Sequence, residues 1–483
     1  MDGNLLIKKD GEPGNGPASR EGAHGRRFRY PIILVWAPRS ESGRRPNRLT
    51  SRVLAMPSHF PRRVGIYGAI RIPFARAYSA YSGDTNLSLL AAALRALVER
   101  TGLKGERLGE VVAGATMVDP REWNLAREAL LESGLAPETP GIDLARACGT
   151  SAEAAVAVAN KIALNQIDAG IAAGVDSISG LPLLYPRRFA ALAVRSAQGR
   201  STGARLKPWL GLRLRDLKPE PPRVKERMTG LTMGESCELM AKTWSIGREE
   251  QDRLALESHQ KAARAWKEGF YNDLVVGHSG LERDNNVRPD TSLEKLATLR
   301  PAFDRSPSGT LTAGNSTPLT DGAAAVLLAS EEWGRAHGLE PWSFLIDAQA
   351  GAVDFFGPQR EGLLMAPAYT VPRLLDRNGI ALGDFDYYEI HEAFAAQVLC
   401  TLKAWESADF CRTRLGRGEP LGAIDRARLN VRGGSIALGH PFGATGARIV
   451  GGLAKLLREK GRGRGLVSIC TGGGMGVTLI LER

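Results

Sequence analysis

The chain has 483 residues, of which 43% are hydrophobic and 24% charged, and this composition indicates a globular protein with more than one structural unit. Its five cysteines are odd in number, scattered and without a Cys-x-x-Cys pair, which argues against a disulfide framework and against a metal site. No apolar run approaches the roughly 20 residues of a membrane-spanning helix, and the start lacks a secretory signal pattern, so we expect an intracellular protein.

The net charge of +12 is concentrated in two segments. Residues 1–55 contain 11 Lys/Arg and 5 Asp/Glu, residues 181–230 contain 12 and 3, and the remainder has a net charge of −3. Neither a zinc-finger spacing nor an aromatic RNA-binding run accompanies these segments, so we predict that the protein binds no nucleic acid.

The first 60 residues are polar and rich in Gly, Pro, Ser and Arg, which predicts a disordered basic extension. Met56 is a candidate for the true start of the protein, which would make the extension a mistranslated leader. Alternatively, residues 1–55 act as a transit peptide, although their five acidic residues are untypical of one. We therefore expect a cytoplasmic protein, with the mitochondrial matrix as the alternative.

From residue 61 the sequence alternates short apolar strands with helical patterns, as in RVGIYGAI, NLSLLAAALRALVERTG, LGEVVAGAT, SAEAAVAVANKIALNQ and AGIAAGV. This spacing predicts an α/β layer with a largely buried sheet. Residues 181–309 are richer in Pro, Arg and charge and contain two helical patterns, after which the alternation returns. We predict an N-terminal half at 61–180 and 310–335, an inserted loop domain at 181–309, and a C-terminal half at 336–483.

A cysteine lies directly before the first-half helix that begins near SAEAAVAVAN. The helix dipole and free backbone N–H groups would lower the pKa of the Cys148 thiol from its usual value of about 8.5. Gly149 would permit the close approach of another group, and Ser151 is a predicted helix cap. Taken without its neighbours, the cysteine would more simply be a buried structural residue.

The second half contains two comparable features. His440 lies between Gly439 and Pro441 ahead of a predicted helix, and Cys470 is followed by TGGGMG. Glycines after a strand expose backbone N–H groups that suit a phosphate or a developing oxyanion, although a tight turn is the alternative. Of the other cysteines, two are predicted to be buried and one exposed in a charged segment: Cys237, Cys400 and Cys411, respectively.

The segments ARACGTSAEAA, TAGNSTPLTDGAAAVLLAS, EIHEAFAAQ, GGSIALGHPFGATGARI and CTGGGMG resemble, in order and spacing, the signature regions of the thiolase family. The resemblance covers residues 61–483. HEAF in place of NEAF, together with the arginine-rich insertion, is most similar to the thiolase subunits of fatty-acid β-oxidation complexes. It implies two similar βαβαβαββ halves in a five-layered α-β-α-β-α arrangement, with an inserted loop domain.

The resemblance implies catalytic roles for four residues. Cys148 would attack the 3-keto carbon of a 3-ketoacyl-CoA while His440 accepts its proton, and free CoA would later take the acyl group from the cysteine. Cys470 would protonate the departing acetyl-CoA carbanion, or generate it in the reverse condensation. His391 stands where many thiolases have an asparagine that holds a water in an oxyanion site, and it would either hold that water or donate directly.

The resemblance also implies binding roles for further residues, some of which have a simpler structural interpretation. Gly472, together with the Cys148 backbone, would offer N–H groups to an oxyanion. Met233, Ala393 and Phe394 would line the acyl or pantetheine pocket, with ordinary core packing as the alternative. Thr317 would contact the pantetheine arm or cap a loop.

Three functions follow from these predictions. The leading one is a 3-ketoacyl-CoA thiolase, overlapping with an acetoacetyl-CoA-specific acetyl-CoA C-acetyltransferase. A decarboxylating ketoacyl synthase is disfavoured because Cys470 stands where such enzymes have a histidine. A non-catalytic partner or lipid-transfer subunit is disfavoured by the intact cysteines and histidine.

The expected ligands are CoA thioesters as substrates, with no permanently bound cofactor and no metal. We expect a homo-oligomer, either a dimer or a tetramer. The basic segment at residues 181–230 would bind CoA phosphates, an anionic membrane surface or an acidic hydratase/dehydrogenase partner subunit. Chain-length preference and reaction direction are not encoded in these motifs.

Overall fold

The structure is a computed structural model that describes residues 61–220 and 225–483. The predicted basic extension, with its leader and transit-peptide hypotheses, lies outside the described residues.

The described residues form ten strands and fourteen α-helices. The strands are β1 (Val64–Arg71), β2 (Ala75–Arg76), β3 (Glu110–Ala113), β4 (Gly141–Asp143), β5 (Ala169–Asp176), β6 (Thr320–Ser330), β7 (Ser343–Ala352), β8 (Tyr387–Ile390), β9 (Arg464–Thr471) and β10 (Met475–Glu482). The helices are α1 (Asn86–Thr101), α2 (Leu125–Leu131), α3 (Thr150–Ala163), α4 (Arg187–Ala197), α5 (Thr202–Leu206), α6 (Met233–Thr243), α7 (Arg248–Lys267), α8 (Leu293–Ala297), α9 (Glu331–Ala336), α10 (Ala366–Asn378), α11 (Ala395–Glu406), α12 (Ala408–Leu415), α13 (Ser435–Leu438) and α14 (Thr445–Lys460).

The two halves of the sheet repeat one topology. In the first half the strand order is β4-β3-β5-β6-β1, and in the second it is β8-β9-β10-β7. In each half the outer strands are parallel and the last two pairings are antiparallel. An isolated parallel bridge from Tyr388 to Leu429 lies where β4 lies in the first half. Strands β1 and β7 pair at the junction of the halves.

Alternate residues along each strand point into different cores, as the two-residue period of a strand requires. On β6, Ala324, Val326 and Leu328 join the central core, which also contains residues of α3 and α14. Their neighbours on the strand join an outer core shared with α1 and α2. In the second half, Val467 faces the central core and Leu466 an outer core shared with α10 and α11. These alternations produce the layers helix, sheet, helix, sheet, helix, which confirms the predicted α/β fold.

The region between β5 and β6 contributes no strand to this sheet within its described residues. A buried ion pair connects it to the first half, since Arg71 at the end of β1 donates two hydrogen bonds of 2.5 and 2.7 Å to Asp284. The Phe74 backbone N–H and the Trp266 indole also donate to Asp284. The boundaries of the predicted inserted domain remain a prediction.

Two local predictions are wrong. The α3 N-cap is Gly149 and makes no side-chain cap bond, whereas the Ser151 hydroxyl accepts from the Ala447 backbone N–H of α14. Cys411 is fully buried, because α12 turns this residue and Phe410 inward and its thiol faces the carbonyls of Ala404 and Trp405. Cys237 and Cys400 are buried, as predicted.

Within residues 61–220 and 225–483, no helix combines the length and the apolar character needed to cross a bilayer.

Candidate active site

The loop from β4 to α3 holds Cys148 in a tight turn. Ala147 adopts a left-handed conformation with φ of 45°, which is costly for a residue with a Cβ. The turn is closed by bonds from the Gly149 N–H to the Arg146 carbonyl and from the Thr150 N–H to the Ala147 carbonyl, both 3.0 Å. A Cβ on Gly149 would lie 2.9 Å from the Thr471 methyl group. The glycine therefore permits the close approach of β9, as predicted.

The environment of the Cys148 thiol differs from the sequence prediction. Burial raises the pKa of Cys148 to about 12, although hydrogen bonds from the Gly472 backbone and from its own backbone act to lower this pKa. The predicted depression of the pKa is therefore wrong, because loss of hydration exceeds the effect of the N–H groups. At neutral pH the Cys148 side chain is therefore a thiol and not a thiolate.

His440 is oriented through its Nδ1 atom. The Thr445 hydroxyl lies 2.6 Å from His440 Nδ1 and donates its own proton to the Pro441 carbonyl at 3.1 Å. Thr445 must therefore accept from Nδ1–H, which leaves Nε2 unprotonated. Burial, and then the charge of Arg448, lower the pKa of His440 to about 3. His440 is thus a neutral imidazole with a free basic nitrogen.

The backbone around His440 explains the glycine that precedes it. Gly439 has φ of 103°, a conformation that favours glycine. A Cβ there would lie 2.8 Å from the Thr320 methyl group, while the Thr320 hydroxyl accepts from the His440 backbone N–H at 2.7 Å. The strand β6 therefore holds the histidine backbone in place.

His391 follows β8 directly and is fully buried. Its ring lies 4.1 Å from that of His440, measured between centroids. His391 Nδ1 lies 2.8 Å from the Ser435 hydroxyl, and Nε2 is buried without a partner among the described residues. Burial, followed by His440 and Arg448, holds the pKa of His391 well below its usual value.

Cys470 lies near the end of β9 and is buried. Burial raises its pKa well above the usual value, and negative charge at the nearby Cys148 raises it further. The glycine turn Gly472–Gly474 follows. The Gly472 N–H faces the Cys148 thiol, whereas the Gly473 N–H donates at 2.6 Å to Glu226. Of these two N–H groups, only that of Gly472 is available to an oxyanion.

The structure brings three of the four predicted catalytic residues together. The Cys148 sulfur and one ring nitrogen each of His391 and His440 lie within 4.8 Å of one another. The cysteines and histidines are far apart along the chain and so predicted no metal site, yet these three donors could hold a soft metal ion. Their roles in catalysis remain a prediction.

The predicted substrate-lining residues lie on two sides of this cluster. Met233 approaches the glycine turn, because a Cβ on Gly472 would lie 3.8 Å from its sulfur. The Thr317 N–H donates to the Ala393 carbonyl at 3.1 Å, and Ser316 forms a bridge to Phe394. The Thr317 hydroxyl donates to the Ser435 carbonyl at 3.0 Å, so this side chain ties two loops together.

A cavity of about 650 Å³ adjoins these loops. Its inner lining includes Phe303, Thr317 and Ile436. Arg76 and Arg288 lie along its rim, as does Lys295, which is paired with Asp290 of the same lining. Volumes of 300–1,000 Å³ are usual for small-molecule sites, so the cavity suits an organic ligand with a negatively charged end.

Sequence reasoning missed the residues that orient the catalytic groups. Ser435 and Thr445 flank the GHP motif and bond to the two histidines. Glu392 accepts from Ser258, Asn430 and the Ile436 N–H, and so joins the HEAF loop to the GGSI loop. The sequence feature that could have identified these residues is their position close to glycine-rich motifs, but this position alone does not assign them a role.

A half-buried thiol at a helix start, a neutral imidazole, a second thiol and a backbone N–H directed at the first thiol define an acyl-transfer site on an α/β fold of two similar halves. Residues 64–332 match the family model "Thiolase, N-terminal domain" and residues 346–483 match "Thiolase, C-terminal domain". The chain belongs to the thiolase family.

Relatives support this membership. The chain is 43% identical over 426 residues to a 3-ketoacyl-CoA thiolase of Yersinia pestis, covering 87% of this chain and 97% of that one. The fold is similar to human mitochondrial 3-ketoacyl-CoA thiolase, with 27% identity and a TM-score of 0.73, over 88% of this chain and 99% of the human chain. It is also similar to a Bacillus anthracis acetyl-CoA acetyltransferase, with 30% identity, a TM-score of 0.72 and the same coverage.

Proposed function

We propose that the protein is a 3-ketoacyl-CoA thiolase, which cleaves a 3-ketoacyl-CoA with free CoA to give acetyl-CoA and a shortened acyl-CoA in fatty-acid β-oxidation. The observation that carries the proposal is the convergence of Cys148, His391 and His440 within 4.8 Å. The identity to 3-ketoacyl-CoA thiolases over most of the chain supports the same activity.

In the first half-reaction, the Cys148 thiol passes its proton to His440 Nε2 as the sulfur attacks the 3-keto carbon. Because the resting thiol and imidazole are both neutral, this transfer accompanies attack and does not precede it as a stable ion pair. The N–H groups of Cys148 and Gly472 stabilise the oxyanion. The bond between C2 and C3 then breaks, and Cys470 protonates C2 of the leaving acetyl-CoA.

In the second half-reaction, free CoA gives its proton to the Cys470 thiolate and attacks the acyl thioester on Cys148. The Cys148 sulfur leaves and recovers its proton from His440. Both cysteines and the histidine return to their starting protonation states, so the chemistry needs no permanently bound cofactor.

The cavity of about 650 Å³ is the proposed site for the pantetheine arm of CoA. Its inner end reaches Thr317 and Ile436, next to the loops that hold His391, and the arginines and lysine of its rim suit the CoA phosphates. CoA and acyl-CoA are therefore substrates in this proposal.

The test is CoA-dependent cleavage of acetoacetyl-CoA and of a long-chain 3-ketoacyl-CoA by the native chain and by Cys148→Ala. We expect the native chain to cleave at least the long-chain substrate and the variant to lose activity by about 10⁴-fold or more, as for a removed nucleophile. Absence of cleavage by folded native protein would contradict the proposal.

The same assay separates the alternative function. A Bacillus anthracis acetyl-CoA acetyltransferase shares the fold about as closely as the human thiolase does, so the fold does not discriminate between them. Cleavage of acetoacetyl-CoA alone would identify an acetoacetyl-CoA-specific enzyme.

The proposed homo-oligomer has a candidate contact at β4, which ends the sheet. Large apolar side chains near this edge are exposed: Val118, Trp123 and Ile142. An open apolar edge strand favours pairing with a second copy. Light scattering should give a mass of at least two chains for the native protein and a smaller mass for Ile142→Lys, whereas equal masses would reject this edge as the contact.

The basic segment supports a peripheral contact with an anionic membrane surface. Helix α4 has no buried residue, and leucines are exposed beside its arginines: Leu183, Leu206, Leu210 and Leu214. Apolar side chains among positive charges are typical of interfacial binding. We expect cosedimentation with phosphatidylserine-containing vesicles that Leu210→Ser with Leu214→Ser weakens, and no cosedimentation by the native chain would instead favour an acidic partner subunit.

A further inference from the structure

Two neighbouring imidazoles in the site are held by different kinds of partner. His440 Nδ1 faces a hydroxyl that has already given its proton to the Pro441 carbonyl. His391 Nδ1 faces the Ser435 hydroxyl, and this hydroxyl has a second neighbour of opposite character. The two rings lie only 4.1 Å apart, so their proton positions decide what each can do.

Arg448 is the second neighbour of Ser435. Arg448 lies in helix α14 and is 8% exposed. Its guanidinium donates from Nη2 to the Ser435 oxygen at 2.6 Å. A guanidinium carries only donors and keeps its proton, so it cannot accept from the serine. Among the described residues, the only other partner of this hydroxyl is His391 Nδ1, at 2.8 Å.

The direction of the second bond follows. A serine oxygen can accept from both neighbours, but its own proton would then have no partner among the described residues. Because buried donors are almost always paired, the serine donates its proton to His391 Nδ1 while its oxygen accepts from Arg448. A neutral imidazole that accepts at Nδ1 carries its hydrogen on Nε2. That nitrogen is buried without a partner among the described residues, so its N–H is free to serve a reacting group.

We propose that Arg448 and Ser435 are positioning residues that fix the proton of His391 on Nε2, making this imidazole a hydrogen-bond donor to the substrate oxygen while His440 remains the base. The burial and the adjacent positive charge that keep His391 neutral support this assignment, because a cationic imidazole would donate from both nitrogens. The two histidines therefore hold opposite tautomers. Only the kinetic part of the test rests on the proposed thiolase function.

The first test reads the tautomer directly, in the full-length native chain labelled with ¹⁵N-histidine. The signals of His391, assigned by their loss in His391→Asn, should show a protonated Nε2 and an unprotonated Nδ1. Arg448→Lys also presents only donors and should keep this pattern, whereas Arg448→Gln offers an acceptor to Ser435 and should mix the tautomers. A protonated Nδ1 in the native chain would overturn the proposal, whether or not the protein has thiolase activity.

The second test is a kinetic cycle. In the native background, Ser435→Ala should lower kcat by about tenfold or more, with a smaller change in KM. In the His391→Asn background it should lower kcat by less than about twofold, because the side-chain amide introduced there has no tautomer for the serine to fix. Ser468→Ala is the matched control, since this buried serine contacts the same strand end and its hydroxyl has no partner among the described residues. Equal losses in both backgrounds would show that Ser435 does not act through His391.

Discussion

The Cys148 thiol is held in a state that resists spontaneous ionisation. Burial raises its pKa to about 12, against the effect of the Gly472 N–H. The proton therefore leaves only when substrate and base are both in place. A neutral thiol at rest reacts slowly with oxidants and alkylating agents, which favours survival of the nucleophile between turnovers.

This environment predicts the pH dependence of chemical labelling. Below a pKa of about 12 the thiolate fraction rises about tenfold for each pH unit, so the rate of Cys148 alkylation by iodoacetamide should rise at that slope from pH 7 to pH 10. Mass spectrometry of the peptide that contains Cys148 measures the rate and separates it from labelling at other cysteines. A plateau below pH 9 would show that the thiol pKa is depressed instead.

At the residue scale, the sequence marks the candidate reacting residues more clearly than the residues that contact and orient them. Cys148 and His440 each adjoin a glycine, and Cys470 lies two residues before one, which is where a site needs free backbone N–H groups. Thr445 and Arg448 look like ordinary helix residues in the sequence. Their role depends on which hydrogen bonds their neighbours have already made, and this information exists only in three dimensions.

The two central helices approach each other at their N-terminal ends through glycine. A Cβ on Gly446 of α14 would lie 2.2 Å from the Ala152 backbone nitrogen of α3. Backbone atoms cannot move aside as a flexible side chain can. The contact holds the helix that starts after Cys148 against the helix that starts after His440, so it fixes the separation of these two residues.

This contact predicts opposite effects of the same substitution at two positions of α14. Gly446→Ala should destabilise the protein by about 1–3 kcal/mol through overpacking and should also lower kcat. Gly452→Ala should stabilise it by about 0.5–1 kcal/mol, because a Cβ there meets nothing within 4 Å and alanine favours the helix. Thermal unfolding of both variants is the measurement, and a stabilised Gly446→Ala would refute the close approach.

At the element scale, strongly periodic helices are predictable and the others are not. The patterns NLSLLAAALRALVERTG and REEQDRLALESHQKAARAWKEG match α1 and α7 to within two residues. Helix α10 gave no such signal, because Pro367 lies in its first turn and Pro372 inside it. Packing of its buried face between β7, β10 and α11 stabilises α10 despite the prolines.

Across the whole molecule, one buried ion pair joins the region between β5 and β6 to the sheet. Asp284 accepts two bonds from Arg71 at the end of β1, and the Arg71 guanidinium also lies 4.8 Å from the Phe74 ring. Removing one member of a buried pair leaves the other charge without compensation. The pair is therefore one of the buried contacts that hold this region, together with the hydrogen bonds from Ser258 to Glu392 and from Asn286 to the Phe74 carbonyl.

Asp284→Asn should lower the free energy of unfolding by about 3–5 kcal/mol and should loosen the cavity of about 650 Å³, which Asn285 and Asn286 line. Asp290→Asn is the matched control, because its partner Lys295 is exposed and the pair is solvated, so its urea midpoint should stay unchanged. Equal midpoints for the two variants would show that the buried pair does not anchor the region.

The pairing of β1 with β7 has a register with a particular symmetry. The first residue of β1 faces the third of β7, the second faces the second, and the third faces the first: Val64 with Leu345, Gly65 with Phe344 and Ile66 with Ser343. Such self-complementary pairing is what two copies of one chain would make about a twofold axis. In a true pair of copies, every group would occur twice. Joining the copies in one polypeptide frees each half to diverge, so the first half carries Cys148 and the second half carries both imidazoles and Cys470.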